Sequence, residues 1–256
     1  MGASHLSGGA SEIMQKTAFV LFIAASLAMS VGCARKTAVN AQGQTVTGVQ
    51  GETLARVQDA GKDLDDIMNA PDNQIPGEVL ASAKCVAVVP DMVKGGFVIG
   101  AQHGRGVATC RTGHGWSAPA FFTLSGGTWG AQIGAQSADV VMLIMNDKGM
   151  QDLLSSQFKL GGEASIAAGP VGREATANTD WKLKSEVLTY SRTRGLFAGL
   201  DLSGALVKPD ADSTQAFYNR DYDFRSILSG EVQAPSAANS FLSSVRRNFR
   251  EAKATT

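Results

Sequence analysis

Glycines recur within and beside a series of short β-rich runs, and they constrain the fold of this chain more than any other feature. From Cys85 onward, runs such as "CVAVVP", "GGFVIGAQ" and "PAFFTLSGG" are separated by Gly, Pro, Ser and Asn, a pattern typical of successive antiparallel strands. Because glycine weakens a flat strand, its repetition favours coiled strands, bulges or the close approach of another backbone. The sequence therefore predicts a strongly curved, barrel-like, mainly antiparallel sheet.

Amphipathic helices are predicted on both sides of this β-rich region. Residues 51–70 place apolar side chains on one helical face with acidic and amide side chains opposite, and residues 235–253 show the same periodicity. A shorter helix is predicted from Asp147, which can cap its N-terminus. The predicted fold class is therefore α+β, a curved sheet flanked by amphipathic helices. The apolar faces of the two long helices consist of Leu54, Val57, Leu64, Ile67, Met68, Phe241, Leu242, Val245 and Phe249.

The N-terminal residues resemble a secretory signal. Lys16 precedes an apolar stretch over residues 18–29, and small residues precede Cys33, which is the anatomy of an exported precursor. The sequence "SVGC" resembles a bacterial lipobox, in which the cysteine is lipidated and becomes the mature N-terminus. Ser30 stands where such motifs usually have Leu. An ordinary signal peptide that is cleaved nearby is the alternative.

This reading divides the chain into three parts. Residues 1–33 are predicted to be an upstream extension plus a lipoprotein signal peptide, residues 34–48 a flexible tether, and residues 49–256 a single domain. Acylation of Cys33 with two or more chains would give a stable anchor. Ala34, rather than Asp, follows the cysteine, as in outer-membrane lipoproteins. We therefore expect an exported protein that is lipid-anchored to a bacterial membrane, at the periplasmic face of the outer membrane.

Two further cysteines, Cys85 and Cys110, are 25 residues apart. Export to an oxidising compartment permits a disulfide between them. Because His103 and His114 lie nearby, a zinc site is a further alternative, but no C-x-x-C or H-x-x-x-H spacing supports it. A disulfide is preferred to two buried thiols, and zinc ranks third. No metal and no cofactor is predicted.

Charge and motifs exclude several functional classes. Lys plus Arg and Asp plus Glu both number 23, so no overall field favours nucleic acid. The sequence has no G-x-S-x-G elbow and no phosphate loop, and "GRGVATC" lacks the third glycine of a dinucleotide motif. His103 in "QHGRG" and His114 in "TGHGW" are interpreted as turn residues, and Asp139 as a buried acid or a satisfied turn residue. No enzymatic activity is predicted.

Basic residues near strand ends form the candidate binding site. Lys94, Arg105, Arg192 and Arg194 can bind an anionic lipid headgroup if they converge on one rim of the sheet. The alternative is an ordinary solvated surface on which these cations are scattered.

Several long segments, in order, resemble the SYLF domain family. They are "KGGFVIG", "GWSAPAFFTLSGG", "GAQIGAQSADVVMLIMN", "LGGEASIAAGPVG", "LTYSRTRGLFAGLDLSGALVKPD" and "FYN". The resemblance covers most of residues 50–255 and includes no catalytic motif. It implies lipid binding, with a phosphoinositide preference in eukaryotic members; yeast relatives also bind actin filaments, and bacterial members include exported lipoproteins. The basic residues in the matching segments are Lys94, Arg192 and Arg194.

The combined prediction is a membrane-tethered, non-enzymatic SYLF domain that binds acidic phospholipid through a basic rim. The alternative is a structural or interaction protein of the cell envelope that has the fold of the actin-binding relatives without actin as its partner. A hydrolase with an unfamiliar site ranks third. It needs a cluster of histidine or carboxylate side chains, and the spacing does not show one.

Overall fold

The computed structural model describes nine segments of the chain. The segments are residues 38–40, 43–70, 74–96, 99–129, 134–155, 157–171, 185–193, 196–197 and 202–254. The predicted signal and lipobox, including Cys33, lie outside these residues. Arg194 of the candidate binding site lies outside them as well. Acylation and export therefore stay predictions from the sequence.

Helices precede, interrupt and follow the β-rich region. Within the described residues they are α1 (Gly48–Met68), α2 (Gly77–Ser82), α3 (Asp147–Leu153), α4 (Ala211–Tyr218), α5 (Phe224–Leu228) and α6 (Asn239–Ala254), with a 3-10 turn at Ser236–Ala238. The strands are β1 (Ala38–Val39), β2 (Thr45–Val46), β3 (Cys85–Gly96), β4 (Ile99–Thr112), β5 (Gly115–Trp116), β6 (Ala120–Trp129), β7 (Gly134–Ile144), β8 (Phe158–Lys159), β9 (Ile166–Ala168), β10 (Val187–Thr193), β11 (Leu196–Phe197) and β12 (Leu206–Pro209).

The main sheet is a strongly curved half-barrel. Its strand order is β11-β10-β7-β3-β4-β6-β12-β8, and β9 pairs with β10 outside this path. Neighbours along the path pair antiparallel, whereas β9 and β10 are parallel. The predicted α+β class with a curved, mainly antiparallel sheet is thus confirmed, and the parallel β9 makes the sheet mixed.

Buried side chains alternate between the two faces of the sheet along its central strands, so each face has its own hydrophobic core. In β3, Cys85, Ala87 and Val89 belong to one buried cluster, whereas Val86 and Val88 belong to the other, as expected when successive side chains point to opposite faces. We call these the α5 face and the α1 face. Side chains of α3 and α5 cover the α5 face, and side chains of α1, α2 and α6 cover the α1 face.

Short strands occur within the segment that was predicted to be a tether. β1 and β2 pair antiparallel, with Ala38 opposite Val46. Ala38 is buried in a small cluster with Leu54 and Ala55 of α1. This part of residues 34–48 therefore packs against the first helix of the domain.

Two local predictions were wrong. "QHGRG" is not a hairpin turn, because residues 102–106 lie inside β4. The glycines there allow close packing: a Cβ on Gly104 would lie 2.4 Å from Val89 Cγ1, and one on Gly106 would lie 2.3 Å from Phe122 Cζ. The cap of α3 is Asn146, whose side chain accepts a hydrogen bond from Gly149 N at 2.9 Å, and Asp147 is the first helical residue.

The central strand contains a bulge at Asp91. The register of β3 shifts between Val88 and Val93 against β4 and between Val89 and Met92 against β7. Asp91 has a φ of 50°, a left-handed conformation that Asp tolerates better than most residues. Its backbone N donates to Asp139 Oδ1 of β7 at 3.0 Å. The carboxylate of Asp139 therefore contacts the bulge rather than closing a turn of its own.

Cys85 and Cys110 are joined by a disulfide in this structure. They lie directly opposite each other in the β3–β4 pair, and their Sγ atoms are 2.01 Å apart. Both residues are fully buried within the core of the α5 face. The bridge thus links two neighbouring strands in the middle of the sheet.

Candidate functional site

Glycines concentrate at one end of the main sheet, which we call the glycine end. It consists of residues 93–96 of β3, 99–102 of β4, 126–129 of β6 and 134–136 of β7. In this region Gly96 lies opposite both Gly100 and Gly134. A Cβ on Gly96 would lie 2.3 Å from Gly100 Cα, so the β3–β4 pair needs glycine here to keep its spacing.

Two large apolar side chains are exposed at the glycine end. Val93 is 51% exposed and Ile99 is 65% exposed. Val93 lies opposite His103, and Ile99 shares the odd-numbered positions of β4 with His103 and Val107. Since Val107 is in the core of the α1 face, both exposed side chains lie on that face. Single exposed apolar residues are common, but two on one face of one sheet end suit contact with an apolar partner.

Lys94 lies between these positions but on the other face. It is half-buried and lies directly opposite Gln102 of β4 and Gln136 of β7. Opposed residues in an antiparallel pair share a face, and the even-numbered residues of β4 belong to the α5 face. The glycine end therefore carries its apolar pair and its lysine on opposite sides of one thin sheet.

Gln102 is a site residue that the sequence analysis missed. It is only 2% exposed, and both its side-chain Nε2 and Oε1 lack a hydrogen-bond partner. Gly126 leaves room beside it, since a Cβ there would lie 3.2 Å from Gln102 Nε2. A buried unpaired amide costs about 1–3 kcal/mol, so Gln102 is an unsatisfied donor and acceptor opposite Lys94. No sequence signal marks it, because Gln within "GAQHGRG" looks like an exposed turn residue.

Arg105 and Arg192 contact acidic residues of α1 instead of meeting Lys94. Arg105 Nη1 lies 3.9 Å from Glu52 Oε2, and Arg192 Nη1 lies 2.9 Å from Asp66 Oδ2. Fourteen residues separate these two acids, which is about 21 Å along a helix that rises 1.5 Å per residue. The structure therefore does not bring Lys94, Arg105 and Arg192 together in one rim. Their contact with lipid stays a prediction, and Arg194 lies outside the described residues.

Among the described residues, no group of three or more His, Cys, Asp and Glu side chains is arranged to hold a metal ion. Within the same part of the chain, no helix is both long enough and apolar enough to cross a membrane.

The fold and this surface define a class of protein: an α+β domain in which helices cover both faces of a curved sheet and one glycine-rich sheet end carries exposed apolar side chains. Residues 125–248 match the profile of the Ysc84 family, described as "Las17-binding protein actin regulator". The chain therefore contains a domain of the Ysc84/SYLF family, and the resemblance that the sequence suggested is confirmed.

Proteins of animals and fungi are similar in sequence to this chain. SH3 domain-containing YSC84-like protein 1 of Rattus norvegicus is 34% identical over 172 residues, which cover 66% of this chain and 50% of the relative. The human protein of that name is 33% identical over the same length. Protein YSC84 of Saccharomyces cerevisiae is 34% identical over 177 residues, which cover 67% of this chain and 37% of the yeast protein. This chain thus spans half or less of the length of these relatives.

Proposed function

We propose that the domain binds membranes rich in acidic phospholipid, including those of the phosphoinositide type, through its glycine end. The observation that carries the proposal is the exposed pair Val93 and Ile99 at the same sheet end as Lys94, which lies on the opposite face. In the bound state the apolar pair enters the boundary between headgroups and acyl chains, and Lys94 meets an anionic headgroup. The function is binding, without a chemical reaction.

The expected strength of this contact is modest. Burying a Val or Ile side chain contributes about 1.5–3 kcal/mol, and one lysine near an anionic surface adds about 1 kcal/mol. Such a contact is measurable by itself but reversible, and a second attachment makes the anchoring stable, as is general for membrane anchoring by a single weak signal. In this proposal the acyl chains of Cys33 supply that attachment, at the periplasmic face of the outer membrane.

Flotation with vesicles tests the proposal. Residues 34–256, which lack the signal-like segment, are mixed with vesicles of phosphatidylcholine alone or with added phosphatidylglycerol or phosphoinositide. We expect flotation with the anionic vesicles only. Replacing both apolar residues (Val93→Ser with Ile99→Ser) should reduce it at least fivefold. Lys94→Gln should reduce the preference for anionic over neutral vesicles.

The matched control is Val49→Ser, since Val49 is 52% exposed and lies at the start of α1, away from the glycine end. Its flotation should equal that of the parent protein. Equal indifference of the parent to both vesicle types would overturn the proposal, as would equal losses in the control and in the double variant.

A second function is favoured by the family description, which names a protein partner and regulation of actin. In that case the domain is a structural or interaction module of the cell envelope, and a protein other than actin covers the glycine end. Crosslinking from a residue at position 99 in the native envelope should then recover a specific protein, and no lipid should co-purify.

A further inference from the structure

A pocket of about 470 Å³ lies between α1 and the bulge of β3, on the α1 face. Carboxylates dominate its lining. Asp59 and Asp63 come from α1, Asp91 from the bulge and Asp139 from β7. Because three separate elements supply these side chains, no sequence motif announces the pocket.

Asp63 is the unusual member of this group. It is only 8% exposed, and its Oδ2 atom has no hydrogen-bond partner. Burial raises its pKa to about 7, and the negative charges of Asp139 and Asp59 act in the same direction. Buried carboxylates are normally paired or hydrogen-bonded, so an oxygen left without a partner against a pocket marks a place where a ligand can supply one.

Two described cations near the pocket, Lys62 and Arg192, form ion pairs with Asp66. Lys62 Nζ lies 3.2 Å from Asp66 Oδ2, and Arg192 Nη1 lies 2.9 Å from the same oxygen. Asp66 is not among the residues that line the pocket. Lys62, the one cationic side chain among the described residues that line the pocket, thus already has an ion-pair partner outside it.

The shape of the site favours an organic cation over a bare metal ion. The described carboxylates do not come close enough together to form a metal-binding group, and the volume exceeds what one ion fills. An ammonium group has three donors and no acceptor, and its hydrogen bonds to carboxylates are charge-assisted and short. We propose that this aspartate pocket binds an alkylammonium group, supplied by a small polyamine or by a lysine side chain of a partner protein, with Asp63 as its principal acceptor.

The binding should depend on pH in a defined direction. The charged groups that face Asp63 are Asp59 and Lys62 on α1, Asp91 on β3 and Asp139 on β7, and Arg192 reaches the same region from β10. Below pH 7 the carboxyl of Asp63 gains a proton and becomes a poorer partner for a cation. Affinity should therefore fall as the pH is lowered from 8 to 6.

Calorimetric titration of the full chain in a non-ionic detergent at pH 8 tests the inference. The probes are 1,4-diaminobutane, an acetylated and amidated pentapeptide containing lysine, and calcium chloride. We expect the diamine or the peptide to bind, and Asp63→Asn to weaken that binding at least tenfold. Asp221→Asn, at an exposed aspartate outside the pocket, should leave it unchanged.

Each outcome bears on the inference. Binding of the diamine alone assigns a small polyamine, and binding of the peptide alone assigns a partner's lysine; both support it. Failure of both amines, equal binding by Asp63→Asn, or binding of calcium that Asp63→Asn abolishes would overturn it. A thermal unfolding curve for Asp63→Asn shows that the variant is folded. The two proposals can fail separately, because Val93, Lys94 and Ile99, which the flotation experiment tests, do not line the aspartate pocket.

Discussion

At the residue scale, the pKa values of two buried aspartates, Asp210 and Asp63, shift in opposite directions. Burial alone would raise the pKa of Asp210, yet hydrogen bonds from Ser213 and the charge of Arg56 lower it overall. Ser213 Oγ donates to Asp210 Oδ2 at 2.7 Å, and Arg56 Nη1 donates to the same oxygen at 3.3 Å. Asp63 has no such partners at Oδ2, so burial dominates and its pKa rises. Asp210 therefore stabilises the fold as a carboxylate, whereas an ionised Asp63 destabilises it.

The raised pKa of Asp63 predicts a pH-dependent loss of stability. Its carboxyl changes from a usual pKa of 3.8 to about 7 on folding. Between these values the folded protein holds a proton that the unfolded chain has released, so the free energy of unfolding falls as the pH rises. The loss amounts to up to about 4 kcal/mol by pH 8, at about 1.4 kcal/mol per pKa unit.

Urea unfolding at pH 5 and pH 8 measures this effect. In Asp63→Asn most of the pH-dependent loss should disappear, so that the variant exceeds the parent in stability at pH 8. A smaller slope should remain, because burial also raises the pKa of Asp139. Asp221→Asn serves as the control with the parent's slope, and the same slope in Asp63→Asn would contradict the assignment.

At the scale of elements, α1 packs directly against α6, although the two helices are far apart in the sequence. A Cβ on Gly61 would lie 2.8 Å from Ser240 O and 3.2 Å from Phe241 Cα of α6. Ser244 Oγ donates to Gly61 O at 2.9 Å and to Asp65 Oδ1 at 2.6 Å. The backbones of the two helices are therefore in direct contact at Gly61. Hydrogen bonds of Ser244 stabilise this contact at Gly61 and one turn later at Asp65.

Gly61→Ala should consequently destabilise the protein, although alanine is the better helix former by about 1 kcal/mol. The added methyl group contacts backbone atoms that cannot rotate away, and overpacking of this kind costs about 1–3 kcal/mol. The urea midpoint of the variant should be lower than that of the parent. Gly113→Ala is the control, since a Cβ at Gly113 meets open space. An unchanged or higher midpoint for Gly61→Ala would show that the helices can separate without cost.

At the scale of the whole molecule, the disulfide between Cys85 and Cys110 closes a loop across the two central strands. A bridge across a separation of 25 residues restricts the unfolded chain by roughly 3.5 kcal/mol in the chain-entropy model. The double variant Cys85→Ala with Cys110→Ala should therefore unfold at a lower urea concentration. Adding reductant should lower the midpoint of the parent and leave that of the variant unchanged. If reductant left the urea midpoint of the parent unchanged, the disulfide would not be stabilising and the prediction would be wrong.

Periodicity predicted the described fold well where local pattern decides it. The apolar faces at Leu54, Leu64 and Phe241 correspond to α1 and α6, and the glycine-laced runs correspond to a curved sheet. The prediction failed at "QHGRG", because glycine signals either a turn or a close contact, and only the neighbours Val89 and Phe122 show which one applies.

By itself the sequence determined the α+β class and the family, because both follow from periodicity or from residues in a fixed order along the chain. Only the tertiary structure decided that Cys85 and Cys110 face each other and are bonded. It also decided that Arg105 and Arg192 pair with α1 and that Gln102 lies opposite Lys94. It also brought Asp63 to Asp91 and Asp139. The physical reason is that local pattern states which side chains are buried, whereas their partners are set by the packing of elements far apart in the chain.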